Sequence, residues 1–290
     1  MTKIFKYFLQ AIFIYLFYLF IKIIGLNISR KIFSSFFKIA GPLIKSQHIV
    51  DDNLQKVLGV TNDKIKIKIT ENMWSNYGKT FVEYLFLYKF KNQNSHINFI
   101  KGENILFKIK ENNRPVIFVS GHFANFELMS MEITKKKINL ATIYRPLNNI
   151  FLNPFMEKIR KNNVCKNQIK KGMSGIREAL KYIKTNHSIA LMIDQRVSEG
   201  KSLPFFNHQA FTTTLPAQLS LRFNCDIVPV FLQRIESDNF NIEFYDPISP
   251  NGKLNNEENK LEITMNLNKI LEEMILKNPD QWIWTHNRWK

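Results

Sequence analysis

The stretch VIFVSGHFANFE, Val116–Glu127, decides the fold. Its first five residues, Val116–Ser120, are a short unbroken run of β-formers, the pattern of a strand buried on both faces. Gly121 then permits a tight turn, His122 sits at the exit, and a helix is expected from near Asn125. Similar apolar runs recur at Ile189–Ile193 and Ile227–Leu232. Helical periodicity lies between them, at Met173–Thr185 and Pro216–Phe223, and a last helix is expected from Asn256 to Lys277, stopped by Asn278-Pro279. Strands alternating with helices predict an α/β layered fold, with a central, mostly parallel or mixed sheet flanked by helices. Residues 51–112 read as mostly helical, and Trp74, Tyr77, Phe81, Tyr84, Leu85 and Tyr88 form an aromatic stripe suited to core packing.

Towards the N-terminus, Tyr7 to Ile21 is almost wholly apolar, broken by Gln10, and the run continues past Lys22 to Leu26. A bilayer span takes about 20 helical residues, and Lys22 can reach the headgroups. The expected organisation is therefore a membrane-anchor helix in residues 1–30 and a catalytic domain in residues 31–290. A signal peptide and a helix lying flat in the interface compete with the anchor, although no A-x-A-like cleavage site follows the run. Lys31–Lys45, KIFSSFFKIAGPLIK, suits either an interfacial helix or an ordinary core helix. The basic flank after the apolar run leans towards a cytoplasmic C-terminal side.

The chain carries 41 Lys and Arg against 24 Asp and Glu, a formal charge of +17. Nucleic acid, an anionic membrane and an acidic protein are the usual partners of such a surface. No recognised motif supports nucleic-acid binding. The sequence is also rich in Lys throughout, so biased composition accounts for the charge as readily as function does. Cys165 and Cys225 stand far apart without metal-ligand spacing, so no disulfide framework, metal site or bound cofactor is expected, and a reducing compartment suits the catalytic part.

Chemistry points to His122. Strand carboxyl ends are where open α/β sheets place ligands, and imidazole is matched to general-base work near neutral pH. A carboxylate on its second nitrogen fixes the tautomer and stabilises the imidazolium, and Glu127, five residues on, is the expected one. H-x4-E alone is weak, since a turn-capping His and a solvated first-turn Glu read the same way.

Five ordered blocks add a resemblance that covers nearly the whole chain. GHFANFE resembles the HxxxxD/E block of the bacterial lipid A secondary (lauroyl/myristoyl) acyltransferases. IYRPLNN (143–149) is similar to that family's Y-R-P-x-x-N segment. KKGMSGIREALKYIKTNHSIALMIDQR (170–196) resembles its stretch ending in D-Q, and LPFFNHQAFTTTLPAQLSLR (203–222) its P-F-F-G…T-T-x-x-P-A segment. PDQWIWTHNRWK (279–290) resembles its terminal P-E-Q-W-x-W-x-H-R-R-W-K. The resemblance implies acyl transfer from acyl carrier protein or coenzyme A to a hydroxyl of a lipid A precursor, at the cytoplasmic face of the inner membrane, in lipopolysaccharide biosynthesis. It implies His122 as base and Glu127 holding it. Arg145 is implied as a phosphate or carboxylate ligand, and Asp194 as a positioning residue on the substrate side. Lys170 and Lys171 beside Gly172 are candidates for phosphate contact. Phe126 stands where the family commonly has Trp, Asn207 where it has Gly, and Asn287 where it has Arg. Acyl transfer to another glycolipid or glycerolipid, and a non-catalytic lipid-binding membrane protein, are the alternatives. Glycerolipid acyltransferases, however, usually carry Asp at the position of Glu127.

Overall fold

A computed structural model describes residues 2–251 and 256–290. Two helices open the chain, α1 (Lys3–Ile24) and α2 (Leu26–Ile44), turning at Gly25, whose φ of +80° suits a residue without Cβ. Then come α3 (Gln47–Leu58), α4 (Asp63–Glu83), a 3-10 turn at Tyr84–Phe86 and α5 (Leu87–Asn92). The α/β body follows: β1 (Ile97–Lys101), α6 (Glu103–Asn112), β2 (Ile117–Ser120), α7 (Glu127–Lys135), β3 (Leu140–Tyr144), α8 (Asn153–Asn163), β4 (Asn167–Lys170), α9 (Met173–Lys184) and β5 (Ser188–Met192). The hairpin β6 (Lys201–Phe205) and β7 (His208–Thr212) precedes α10 (Leu215–Phe223), β8 (Ile227–Arg234), β9 (Phe240–Phe244) and α11 (Asn256–Lys277).

Seven strands form the central sheet in the order β1-β9-β8-β2-β5-β3-β4. From β8 to β4 every pairing is parallel; β9 runs antiparallel to β8, with β1 parallel to β9. This is the layered, mostly parallel α/β sheet that the alternating pattern predicts. The central strand β2 is buried along its whole length, as its unbroken apolar run requires. Helix α9 turns Gly175, Ala179 and Ile183 inward at three- to four-residue spacing, and α11 does the same with Leu267, Leu271 and Met274.

The local structure adds detail to that pattern. Residues 51–112 are mostly helical, as expected, and INFIK interrupts the helices as edge strand β1, whose partner β9 lies far away in sequence. The helix after the GHFANF loop starts at Glu127 rather than Asn125. The terminal tryptophans lie on no strand; a 3-10 turn at Pro279–Gln281 leads into irregular chain that buries Trp282 and Trp284 in the core.

Two glycines let α2 and α4 approach closely. A Cβ on Gly78 would sit 2.2 Å from the Phe33 carbonyl oxygen, and one on Gly41 would meet the Trp74 ring at 2.1 Å. Between these layers lies a buried charge cluster. Glu83 binds Arg30 Nε at 2.8 Å and pairs with Arg234, while Asn125 Nδ2 donates to it at 2.9 Å. Burial alone would raise the Glu83 pKa, but the two guanidinium groups outweigh it and hold the carboxyl below its usual range.

Candidate active site

Parallel pairing of β2 with β5 sets Ser120 opposite Met192. Two residues further along each chain, His122 faces Asp194. His122 Nδ1 lies 2.7 Å from Asp194 Oδ1, and the His122 backbone N–H donates to Oδ2 at 2.8 Å. Trp282 Nε1 donates to the same Oδ2 at 3.0 Å. Asp194 is fully buried and His122 half-buried. Desolvation raises the pKa of a buried carboxyl, but the imidazole and these three hydrogen bonds reverse it, so the Asp194 pKa is lowered. For His122, burial works against the charged form, while the Asp194 carboxylate favours it and prevails, so its pKa is raised. With Asp194 ionised, Nδ1 carries the proton and Nε2 keeps its lone pair.

Glu127 does not supply the carboxylate on His122 Nδ1. Its Oε1 accepts from Tyr84 OH at 2.6 Å and from Arg160 Nε at 2.7 Å. As the first residue of α7 it points back towards α8 and the 3-10 turn that follows α4, so its partners come from there. It acts on His122 through space: its charge helps raise the imidazole pKa and that of Arg160 opposes it.

The turn carrying His122 is clamped. Ala124 adopts a φ of +45°, a conformation rarely held by a residue with a Cβ unless its surroundings impose it. Its carbonyl accepts from Thr80 Oγ1 at 3.2 Å and Asn76 Nδ2 at 3.4 Å, and its N–H donates to the Gln281 carbonyl at 3.2 Å. At Gly121 a Cβ would lie 2.7 Å from the Phe123 ring. The Phe126 ring packs edge-on against His122, with centroids 4.8 Å apart, so an aromatic is kept there.

His122 and Glu127 open onto a cavity of about 470 Å³ whose lining includes Arg145, Arg160, Lys171 and Lys45. Arg145, Lys171 and Lys45 are exposed, and their side chains have no hydrogen-bond or ion-pair partner among the described residues. Lys170, expected beside Lys171, turns away to pair with Glu157 at 3.3 Å. His286 lines the same cavity, but its Nε2 accepts from the Arg196 N–H and burial lowers its pKa to about 4, so it stays neutral. Phe205 is core, stacked on Trp289. The Phe206–Asn207 tip of the hairpin has positive φ at both residues, which the Asn in place of Gly tolerates. No three His, Cys, Asp or Glu side chains among the described residues are placed to share a metal ion.

Tyr84, Arg160, Trp282 and Lys45 escape the sequence reading as site residues. For Trp282 the nearness of PDQW to a family block was a signal; for the others, tertiary packing alone brings them in.

A buried His–carboxylate pair at strand ends, beside a cation-lined cavity, is an arrangement for moving a proton on or off an anionic substrate. The model of the family described as "Bacterial lipid A biosynthesis acyltransferase" matches residues 2–290. The chain belongs to that bacterial lipid A biosynthesis acyltransferase family, and it is an acyltransferase. Among solved structures, the 1-acyl-sn-glycerophosphate acyltransferase PlsC from Thermotoga maritima is similar at 13% identity and a TM-score of 0.39, covering 86% of this chain and 98% of that one. A search of curated proteins finds no match.

Proposed function

We propose that the protein transfers a fatty acyl chain from acyl carrier protein, or coenzyme A, to a hydroxyl of a lipid A precursor in lipopolysaccharide biosynthesis, with His122 as general base. The observation that carries this reading is the Asp194–His122 pair, which leaves Nε2 free at the cavity. The acceptor O–H gives its proton to Nε2 as its oxygen attacks the thioester carbonyl. Asp194 stabilises the imidazolium that forms. When the tetrahedral intermediate collapses, the C–S bond breaks and the departing thiolate takes the proton from His122. The products are an ester and a free thiol, and His122 is neutral again.

Glu127 serves the site by fixing Arg160, whose guanidinium is suited to an anionic group of the substrate or the developing oxyanion. Arg145 and Lys171 serve the acceptor's phosphates. Asp194 acts through His122 rather than on substrate, while Lys170 stands outside the cavity lining. The protein works at the cytoplasmic face of the inner membrane, held there by its apolar N-terminus.

The test is acyl transfer in purified membranes, with a lipid A precursor and a panel of acyl carriers, for wild type and His122→Ala. Removing the base lowers the rate by about two to four powers of ten. Transfer unaffected by the change would discard the mechanism. If wild type used no donor with this precursor but acylated a glycerolipid, the acceptor would be wrong.

A further inference from the structure

Helix α1 does not stand clear of the body. Tyr7, Ala11, Ile14, Tyr18 and Ile21 form its inward stripe, spanning roughly 21 Å at 1.5 Å per residue. Contacts run along that whole length. Asn149 Nδ2 donates to the Tyr7 carbonyl at 2.8 Å, and Tyr15 OH to the Phe151 carbonyl at 2.9 Å. Further along, Tyr18 packs on Phe155 and Phe81. Were α1 to cross a bilayer, the irregular chain between β3 and α8 and the start of α8 would be drawn into hydrocarbon beside it. Exposed Arg145 and Asn148 lie there, and lipid-facing irregular backbone is not tolerated at that depth.

The opposite stripe of α1, with Phe5, Leu9, Phe13, Leu16, Phe20 and Ile23, is exposed. Beyond the Gly25 corner, α2 carries a second outward stripe of Ile28, Ile32, Phe36, Ile39 and Leu43. Its inward side is already taken by α4, as the glycine contacts show. Lys31 and Lys38 stand seven residues apart on α2, so they share one flank of the stripe, and Lys45 follows at the helix's C-cap. All three have cationic ends free to meet anionic headgroups while their stems lie along lipid.

We propose that α1 and α2 lie together in one leaflet of an anionic membrane, so that the chain enters the bilayer without crossing it. Lys45 both ends this helix pair and lines the cavity, and exposed Leu147 sits on the cavity's edge. The cavity mouth is therefore held at headgroup level. An acceptor lipid reaches His122 with its polar part while its chains stay in the leaflet. This rests on the reading of a membrane-lipid acceptor.

The test uses full-length protein with buried Cys165 and Cys225 replaced by Ala, and single reporters Lys3→Cys at the start of α1 and Lys184→Cys on the exposed end of α9. A membrane-impermeant maleimide is applied to right-side-out and inside-out vesicles. The expected result is labelling of both reporters from the same side. Labelling from opposite sides would overturn the proposal. A spin label at Phe36→Cys in phosphatidylglycerol-containing vesicles should be reached by oxygen and shielded from a water-soluble relaxant; free access of the latter would also overturn it. Acyl transfer by the same vesicles is scored separately. Reporters on one side with no transfer to any lipid acceptor would count against the activity and not against the seat.

Discussion

His122 offers Nε2 to the cavity because Nδ1 is committed to Asp194, and Asp194 is itself held ionised by His122 and Trp282. Asp194→Asn keeps the size but removes the charge. It should lower kcat by about two to four powers of ten, with a smaller effect on KM, because the imidazolium loses its stabilising partner. The pH profile separates this from simple misfolding. His122 must be neutral to accept a proton, so activity is lost as pH falls through its pKa, which lies above the usual value of about 6.5. Without Asp194 that pKa drops, and the acid limb of kcat should move to lower pH; an unmoved limb would show that Asp194 does not set the base. The proposed base is legible in sequence, since a lone His at the exit of a buried strand is a local pattern. Its partner on Nδ1 is not, because β2–β5 register makes that pair across 72 residues. The nearby Glu127 is the obvious choice by spacing, yet its partners Tyr84 and Arg160 come from other helices.

At the scale of elements, the site loop depends on how α2 and α4 meet. Glu83 ends α4 and holds Arg30 from α2, Arg234 from β8 and Asn125 from the loop. Glu83→Gln leaves two buried guanidinium groups short of a counter-charge, and should cost about 3–5 kcal/mol in unfolding free energy. The Glu83 pKa is lower folded than unfolded, so its stabilisation is complete above the unfolded value of about 4.3 and drains away as pH falls through the folded one. Melting temperature against pH should therefore decline less steeply in acid for Glu83→Gln than for wild type. A second prediction concerns the helix contact. Gly78→Ala forces α4 away from the Phe33 backbone and should cost about 1–3 kcal/mol, read as a lowered melting temperature; no change would mean that α2 gives way freely. Strands β2, β5 and β8 and helices α9 to α11 are readable because their apolar periodicity is strong. Edge strand β1 is not, since INFIK is half-exposed and is made a strand by pairing with β9. The break of the aromatic helix at Tyr84–Phe86 likewise answers to packing rather than to any Pro or Gly.

Across the whole molecule the charge of +17 is plain from composition, but where it acts is set by the fold. Lys45, Arg145 and Lys171 come from the end of α2, the chain after β3 and the turn after β4, and they converge on one cavity without protein partners among the described residues. Many other cations are spent internally: Arg30 and Arg234 on Glu83, Arg160 on Glu127. Unspent cations at a mouth have long-range consequences, because they would attract the proposed acidic carrier protein before contact. Screening limits that reach to about 8 Å at physiological ionic strength and to about 3 Å at 1 M. Raising salt should therefore raise the KM for a carrier-bound acyl donor several-fold while kcat holds, since the proposed proton transfer at His122 would take place inside the cavity. A small acyl thioester without the carrier should respond far less. If both donors weakened together, the salt would be acting on the anionic acceptor or on the membrane seat of α2; if neither did, the basic surface would have no part in docking the donor. Lys171→Gln distinguishes the cavity mouth from the surface at large. It should flatten the carrier's salt dependence only if docking uses that mouth, which a charge spread evenly over the molecule would not do.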